Sequence, residues 1–254
     1  MDPIREMFDL TGKVALVTGG SRGLGKEMVL GFARAGADVV IASRKLDSCE
    51  ALAAEVVKET GRKALPVACH VGDWGQVEQL AERAYTEFGH IDVLVNNAGM
   101  SPLYDHVGNV TEALYDKVLD VNLKGPFRLT AMVGTRMAAG AGGSIIMVSS
   151  NGAMNPRAHI IPYAAAKAGL NAMTVGFAHA FAPKVRVNCI MPGPFLTDIS
   201  TAWDMEAFEK RAKTSIFMQR GGLAHEVVGA ALYFASNASS YTTGSVLPIT
   251  GGGD

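Results

Sequence analysis

The chain has 254 residues, 48% hydrophobic and 19% charged, a balance that supports a large buried core and gives no sign of disorder beyond the first few residues. A formal net charge of −1 supplies no field that would recruit nucleic acid or an anionic membrane surface. The start, Met1-Asp2-Pro3-Ile4-Arg5-Glu6, lacks the apolar core of a secretory signal, and no apolar run approaches membrane-spanning length.

In chain order, residues 13–18 form a short apolar run with two valines between Gly12 and Gly19, which reads as a buried parallel strand. The glycine-rich turn Gly19-Gly20-Ser21-Arg22-Gly23-Leu24-Gly25 follows, then a helical pattern over 26–35 closed by Gly36, then a second strand over 37–42. The alternation continues with helices over 46–60 and 74–88 and strands over 64–69 and 92–96. Residues 112–138 read as mostly helix, 144–149 as strand, 163–180 as helix and 185–190 as strand. A helix over 224–236 and a strand over 245–249 end the series. Strands alternating with helices predict an α/β fold, a Rossmann-type doubly wound parallel sheet of about seven strands covered on both faces. No linker, repeat or low-complexity segment divides the chain, so residues 1–254 read as a single domain. Cys49, Cys69 and Cys189 are odd in number and fall outside any CxxC spacing. They read as small buried hydrophobes in a reducing, cytoplasmic setting, with no metal site expected.

The strand, glycine turn, helix and strand over residues 13–42 supply the context of a dinucleotide site. Gly23 and Gly25 would let backbone amides approach a pyrophosphate at the positive end of the helix. The spacing is one residue longer than the usual dinucleotide fingerprint. The second strand runs into Ser43-Arg44-Lys45, with no carboxylate before Asp47 to receive a ribose 2′-hydroxyl. A hydroxyl, a guanidinium and an ammonium, with Arg22 able to close over them, make an anion pocket suited to a 2′-phosphate. NADP(H) is the preferred cofactor on this reading, with NAD(H) the alternative.

Tyr163 and Lys167 stand four residues apart in an alanine-rich helix, so their side chains rise from one face. A cation at roughly 5 Å in an effective dielectric near 20 favours the phenolate by on the order of 3 kcal/mol, about two pKa units. The expectation is a tyrosine lowered toward the range where a general acid/base works best.

Taken together, these residues resemble the short-chain dehydrogenase/reductase family in its compact, single-domain branch. Thr18-Gly19-x-x-x-Gly23-x-Gly25 matches that family's own glycine motif, and Asn96-Asn97-Ala98-Gly99 its strand-ending tetrapeptide. Pro192-Gly193-x-x-x-Thr197 matches the segment that receives the nicotinamide carboxamide, and Asn122 sits where the family keeps a catalytic asparagine. The resemblance implies a catalytic set of Asn122, Ser150, Tyr163 and Lys167. Ser150 lies thirteen residues before the tyrosine, as the family spacing requires. Gly152, however, keeps the family's three-residue offset only from Ser149, so Ser149 stays open. By the same resemblance Lys167 holds the ribose hydroxyls, and Asn122 holds a water in a proton relay. His70 or the backbone of Val71 meets the adenine edge, a surface histidine with no such contact being the alternative. A homotetramer is implied as well, with a small-molecule partner and neither nucleic acid nor membrane.

The expected activity is hydride transfer between the nicotinamide and a carbonyl or secondary alcohol. Ketones, 3-oxoacyl thioesters and sugars or polyol acids are not separable from sequence. A thioester reductase docking a carrier protein would need a basic patch, for which Arg128 and Arg136 are available. A regulator that binds cofactor without turnover is a further reading, disfavoured by the complete Tyr/Lys pair. Specificity should lie in residues 101–104, in residues 151–162, and in a mobile lid over about 194–220. There, Trp203, Met205, Phe208, Ile216, Phe217 and Met218 either face a partly apolar substrate or form a lid core or subunit contact. Arg157 and His159 either hold an anionic group or are solvated loop charges.

Overall fold

The structure, a computed structural model, describes residues 2–198, 200 and 203–252. A five-residue helix, α1 (Pro3–Met7), precedes β1 (Val14–Thr18), α2 (Gly23–Arg34), β2 (Asp38–Ser43), α3 (Leu46–Thr60) and β3 (Ala64–Ala68). Then come α4 (Trp74–Phe88), β4 (Val93–Asn96), α5 (Glu112–Leu119), α6 (Gly125–Ala139), β5 (Gly143–Val148) and α7 (Ile161–Phe181). The chain ends with β6 (Val185–Pro192), β7 (Phe195–Leu196), α8 (Met205–Ser215), β8 (Gly222–Leu223), α9 (Val228–Ala235) and β9 (Val246–Ile249).

Seven strands form one sheet in the order β3-β2-β1-β4-β5-β6-β9, all parallel. Alternate strand residues face opposite ways, and each set finds its own helices. Ala15, Val17, Val39, Ile41, Val93 and Val95 pack against Met28 and Phe32 of α2, Leu52 and Val56 of α3, and Phe234 of α9. Val14, Leu16, Val40, Leu94 and Ile145 face Val77 and Leu80 of α4, Leu129 and Val133 of α6, and Leu170 of α7. This is the doubly wound Rossmann-type architecture the alternation predicts. No helix among the described residues is long and apolar enough to cross a membrane.

The region expected to be mostly helix over 112–138 is two helices joined by a π-helical turn, Asp120–Lys124. Pro126 has no N–H to offer the Asn122 carbonyl four residues earlier, so the α-helical register fails there. The Gly125 amide reaches back five residues to the Asp120 carbonyl instead. The widened turn buries Asn122 completely, under the end of β4.

Candidate active site

The strand order reverses direction between β1 and β4, and the carboxyl ends of these strands border a crevice, the usual ligand position in an open α/β sheet. Thr18 closes the crevice floor. Its hydroxyl donates to the Val95 carbonyl at 3.3 Å and accepts from the amides of Asn97 at 3.1 Å and Ala98 at 3.2 Å. The Asn97 side chain donates back to the Thr18 and Gly19 carbonyls at 3.0 and 3.1 Å. The glycine turn and the Asn97-Ala98-Gly99 segment are therefore one cross-linked unit.

Two glycines in this unit are obligatory. Gly23 has φ +54°, and a Cβ added at Gly25 would lie 2.1 Å from the Gly19 carbonyl oxygen. Arg22 caps α2 without a side-chain hydrogen bond, so the first amides of the helix keep their affinity for an anion. Leu24 packs its side chain into the core and leaves the turn's backbone facing outward. The Ser21 hydroxyl donates to Ser43 at 2.9 Å, tying the turn to the end of β2. Arg22, Arg44 and Lys45 are exposed around that tie, and none makes an ion pair among the described residues.

Past β3, His70 is partly buried and its Nδ1 accepts from the Gly72 amide at 3.2 Å, which leaves Nε2 as the outward donor. A Cβ added at Gly125 would meet the Val71 carbonyl oxygen at 1.9 Å, so that carbonyl packs on the start of α6.

The structure separates the two serines. Ser149 is 3% exposed, and its hydroxyl accepts from the Ser150 amide at 2.6 Å. Ser150 turns the other way. Its hydroxyl accepts from the Gly152 amide at 3.1 Å and pulls on the Tyr163 phenol by hydrogen bonding. Lys167, 3% exposed, lies beneath the phenol with Nζ 5.7 Å from its ring centroid and 2.8 Å from the Val148 carbonyl, to which it donates. Asn122 completes the cluster. A Cβ placed on Gly99 would sit 2.9 Å from Asn122 Oδ1 and 3.3 Å from Lys167 Nζ.

The electrostatics differ from expectation in one respect. Tyr163 is not lowered: burial pushes its pKa up, and the hydrogen bond with Ser150 offsets only part of that. Burial likewise brings Lys167 down to about 8, with Cys189 pulling the other way. Desolvation outweighs the Coulomb attraction because both groups stand in a poorly solvated pocket and the ammonium is directed at the Val148 carbonyl rather than the phenol oxygen.

Pro192 ends β6, the Gly193 amide donates to the Ile249 carbonyl at 2.8 Å, and Thr197 faces Gly23 across the crevice mouth. Within the 194–220 lid, residues 199, 201 and 202 lie outside the described residues. Phe208, Ala212 and Ile216 are buried against Leu196 and Met205, so these apolar residues form the lid's own core rather than a substrate wall. Trp203 packs on Phe208 at 5.2 Å between ring centroids. Phe217 is 84% exposed, and the Met218 amide donates to the Gly251 carbonyl at 2.9 Å, which ties the lid to the chain end. That tie, the Val148 acceptor for Lys167 and the Met100 partner of Asn122 carry no sequence signal beyond a glycine pair. Arg157 and His159 are exposed.

Arg128 and Arg136 are each engaged on the protein's own surface. Arg128 pairs with Glu78 and lies 4.8 Å over the Trp74 ring; Arg136 pairs with Glu82 and lies 4.5 Å over the Tyr85 ring.

A family model described as short chain dehydrogenase matches residues 13–207. Dehydrogenase/reductase SDR family member 4 of Oryctolagus cuniculus is 35% identical over 245 residues, covering 96% of this chain and 94% of its own. The 3-oxoacyl-(acyl-carrier-protein) reductase FabG of Thermotoga maritima is 37% identical over 244 residues, covering 96% of this chain and 98% of its own. Among solved structures, NADPH-dependent 3-quinuclidinone reductase from Rhodotorula rubra superposes with a TM-score of 0.93 at 31% identity, over 99% of this chain and 95% of its own.

Proposed function

Because the chain belongs to the short-chain dehydrogenase/reductase family, and is therefore an oxidoreductase acting on alcohol or carbonyl groups with a nicotinamide dinucleotide, we propose that it is an NADP(H)-dependent carbonyl reductase with Tyr163 as general acid. The observation that carries this reading is the side-by-side placement of Ser150 and Tyr163 over the buried Lys167 amine.

A nicotinamide dinucleotide bound here would supply the hydride. Gly23, Gly25 and the start of α2 would cradle its pyrophosphate, and Arg22, Ser43, Arg44 and Lys45 would hold a 2′-phosphate. Pro192, Gly193 and Thr197 would border the nicotinamide end. Ser150 donates a hydrogen bond to the substrate oxygen, and Tyr163 delivers a proton to it as negative charge develops. Lys167 holds ribose hydroxyls. The three hydrogen bonds of the Asn122 amide go to protein, so any relay water is held by main chain at the π-turn rather than by that side chain.

A carrier-bound thioester substrate is the second reading, favoured by the FabG relative. Arg128 and Arg136, the arginines considered as its docking surface, are each paired with a glutamate, which a docking partner would have to displace. Residues 1–254 are read as one catalytic domain in the cytoplasm. The exposed Tyr115, Phe127 and Val175 on α5 to α7, and Leu247 on β9, fit the contacts of a homotetramer.

Replacing Tyr163 by Phe tests the assignment. NADPH affinity, read by fluorescence titration, should stay within about twofold, while carbonyl-dependent NADPH oxidation falls by about 10³-fold or more. Turnover comparable to wild type would defeat it.

A further inference from the structure

The segment after β9 touches the borders of the crevice at two places. At the end of β9 the Ile249 carbonyl accepts from the Gly193 amide at 2.8 Å, and a Cβ added at Gly193 would lie 2.8 Å from the Thr250 Cα. Further on, the Gly252 and Gly251 carbonyls accept from the successive amides of Phe217 and Met218, the second at 2.9 Å. Only glycine suits these two positions. Gly251 and Gly252 have φ +75° and +71°, and added Cβ atoms would lie 2.9 Å from Ile216 Cγ2 and 2.6 Å from Phe217 Cδ2.

What the glycine pair holds leads back to the glycine turn. Ile216 packs with Phe208 and Ala212 against Leu196, and the residue after Leu196, Thr197, stands against Gly23. The chain beyond the tie is fixed as well. Arg220 forks onto both Glu226 oxygens at 2.7 and 2.6 Å, and Glu226 also accepts from the Leu223 amide at 2.7 Å. Between tie and clamp lies Gln219, the one described non-glycine residue in the left-handed region, at φ +56°. A glutamine keeps that conformation where its surroundings impose it. Loosening the tie lets Gln219 relax, and the 216–218 leg moves with it.

From this geometry, and resting on the reading of the crevice as a dinucleotide site, we infer that Gly251 and Gly252 are positioning residues of the cofactor cleft. They hold the 216–218 leg and, through Ile216 and Leu196, set Thr197 against the glycine turn.

The test uses the full chain and NADPH. Gly252→Ala drives a Cβ into the Phe217 ring, and Gly251→Ala drives one into Ile216. Each should weaken NADPH by about fivefold to tenfold in a fluorescence titration, with KM for NADPH rising by more than kcat falls. Tryptic cleavage after the exposed Lys210, Arg211 and Lys213 of α8 should quicken by about tenfold relative to cleavage elsewhere in the chain. Phe217 is 84% exposed, so Phe217→Ala removes the obstructing ring without opening the lid's core. Added to Gly252→Ala it should recover about half of the lost affinity on a logarithmic scale, and added to Gly251→Ala it should recover none. In the wild type, exchange of the Phe217 and Met218 amide hydrogens should slow by about fivefold on binding NADPH, because leg and cleft share one position. Three results each overturn the inference and leave the reductase reading standing. They are NADPH affinity within about twofold of wild type in both glycine variants, a loss in Gly252→Ala that Phe217→Ala does not relieve, and amide exchange indifferent to NADPH. A wild-type chain that does not bind NADPH overturns both.

Discussion

Asn122 pairs with the main chain of Met100 as a second peptide group would. Its Oδ1 accepts from the Met100 amide at 3.1 Å and its Nδ2 donates to the Met100 carbonyl at 2.8 Å. A further bond from Nδ2 to the Val118 carbonyl at 2.9 Å fixes the amide in the π-turn. Asn122 thus holds the segment after β4 against the kink between α5 and α6, and so positions Gly99 over Lys167. Replacing Asn122 by Ala strands one amide and two carbonyls in a fully buried place. The expected loss is about 3 kcal/mol in chemical denaturation, together with reduced activity. A variant that loses activity at unchanged stability would contradict the structural role.

Lys167 is a buried ammonium with no carboxylate among its hydrogen-bond partners, and its presence destabilises the fold. Its pKa drops from 10.5 to about 8 on folding, a penalty of about 3 kcal/mol when both states are charged. Between pH 8 and 10.5 the unfolded chain holds the proton that the folded one has released, so stability rises with pH through that window. Below it the full penalty stands. Lys167→Met should therefore unfold at higher denaturant at pH 7, by about 1 kcal/mol once the abandoned Val148 carbonyl is allowed for, and should be inactive. The gap to wild type should close or reverse by pH 10.5. A variant less stable at pH 7 would sink the claim that burial dominates at this site.

How much of this is legible in sequence follows from the range of each interaction. The strands show as aliphatic runs because burial on both sheet faces leaves no polar position in them, as in Val14 to Val17 and Val93 to Val95. The positions of Tyr163 and Lys167 on one helix face follow from helical period alone. The direction of their pKa shifts does not, because desolvation depends on how deeply the rest of the fold buries the pair. The choice between the two lid readings was closed to sequence for a similar reason. Phe208 and Ile216 are spaced as an apolar face, and spacing cannot say whether that face meets a substrate or Leu196. The π-turn could have been read from Pro126, four residues after Asn122.

The serine pair gives a sharper discrimination. Ser150→Ala removes the hydroxyl beside Tyr163 and should lower kcat by about 10²-fold to 10³-fold with NADPH affinity unchanged. Ser149→Ala removes the acceptor of the Ser150 amide and a neighbour of Cys189. It should cost about 1 kcal/mol of stability and less than tenfold in kcat. Equal kinetic losses, or the reverse order, would transfer the oxygen-binding role to Ser149.

The cations around the Ser21–Ser43 hydrogen bond make the cofactor preference measurable. Arg22, Arg44 and Lys45 have no ion-pair partners among the described residues, so a 2′-phosphate would meet charges not already neutralised. They are exposed, which tempers each contact through solvent and salt. Arg44→Ala is expected to weaken NADPH by about tenfold and NADH by less than twofold, and Arg22→Ala to act in the same direction. Raising salt from 50 to 500 mM should weaken NADPH more than NADH in the wild type, and the difference should shrink in Arg44→Ala. If the two cofactors lose affinity in parallel, the pocket does not read the 2′-phosphate. The preference for NADP(H) then fails, while the catalytic assignment, which depends on the other end of the crevice, is untouched.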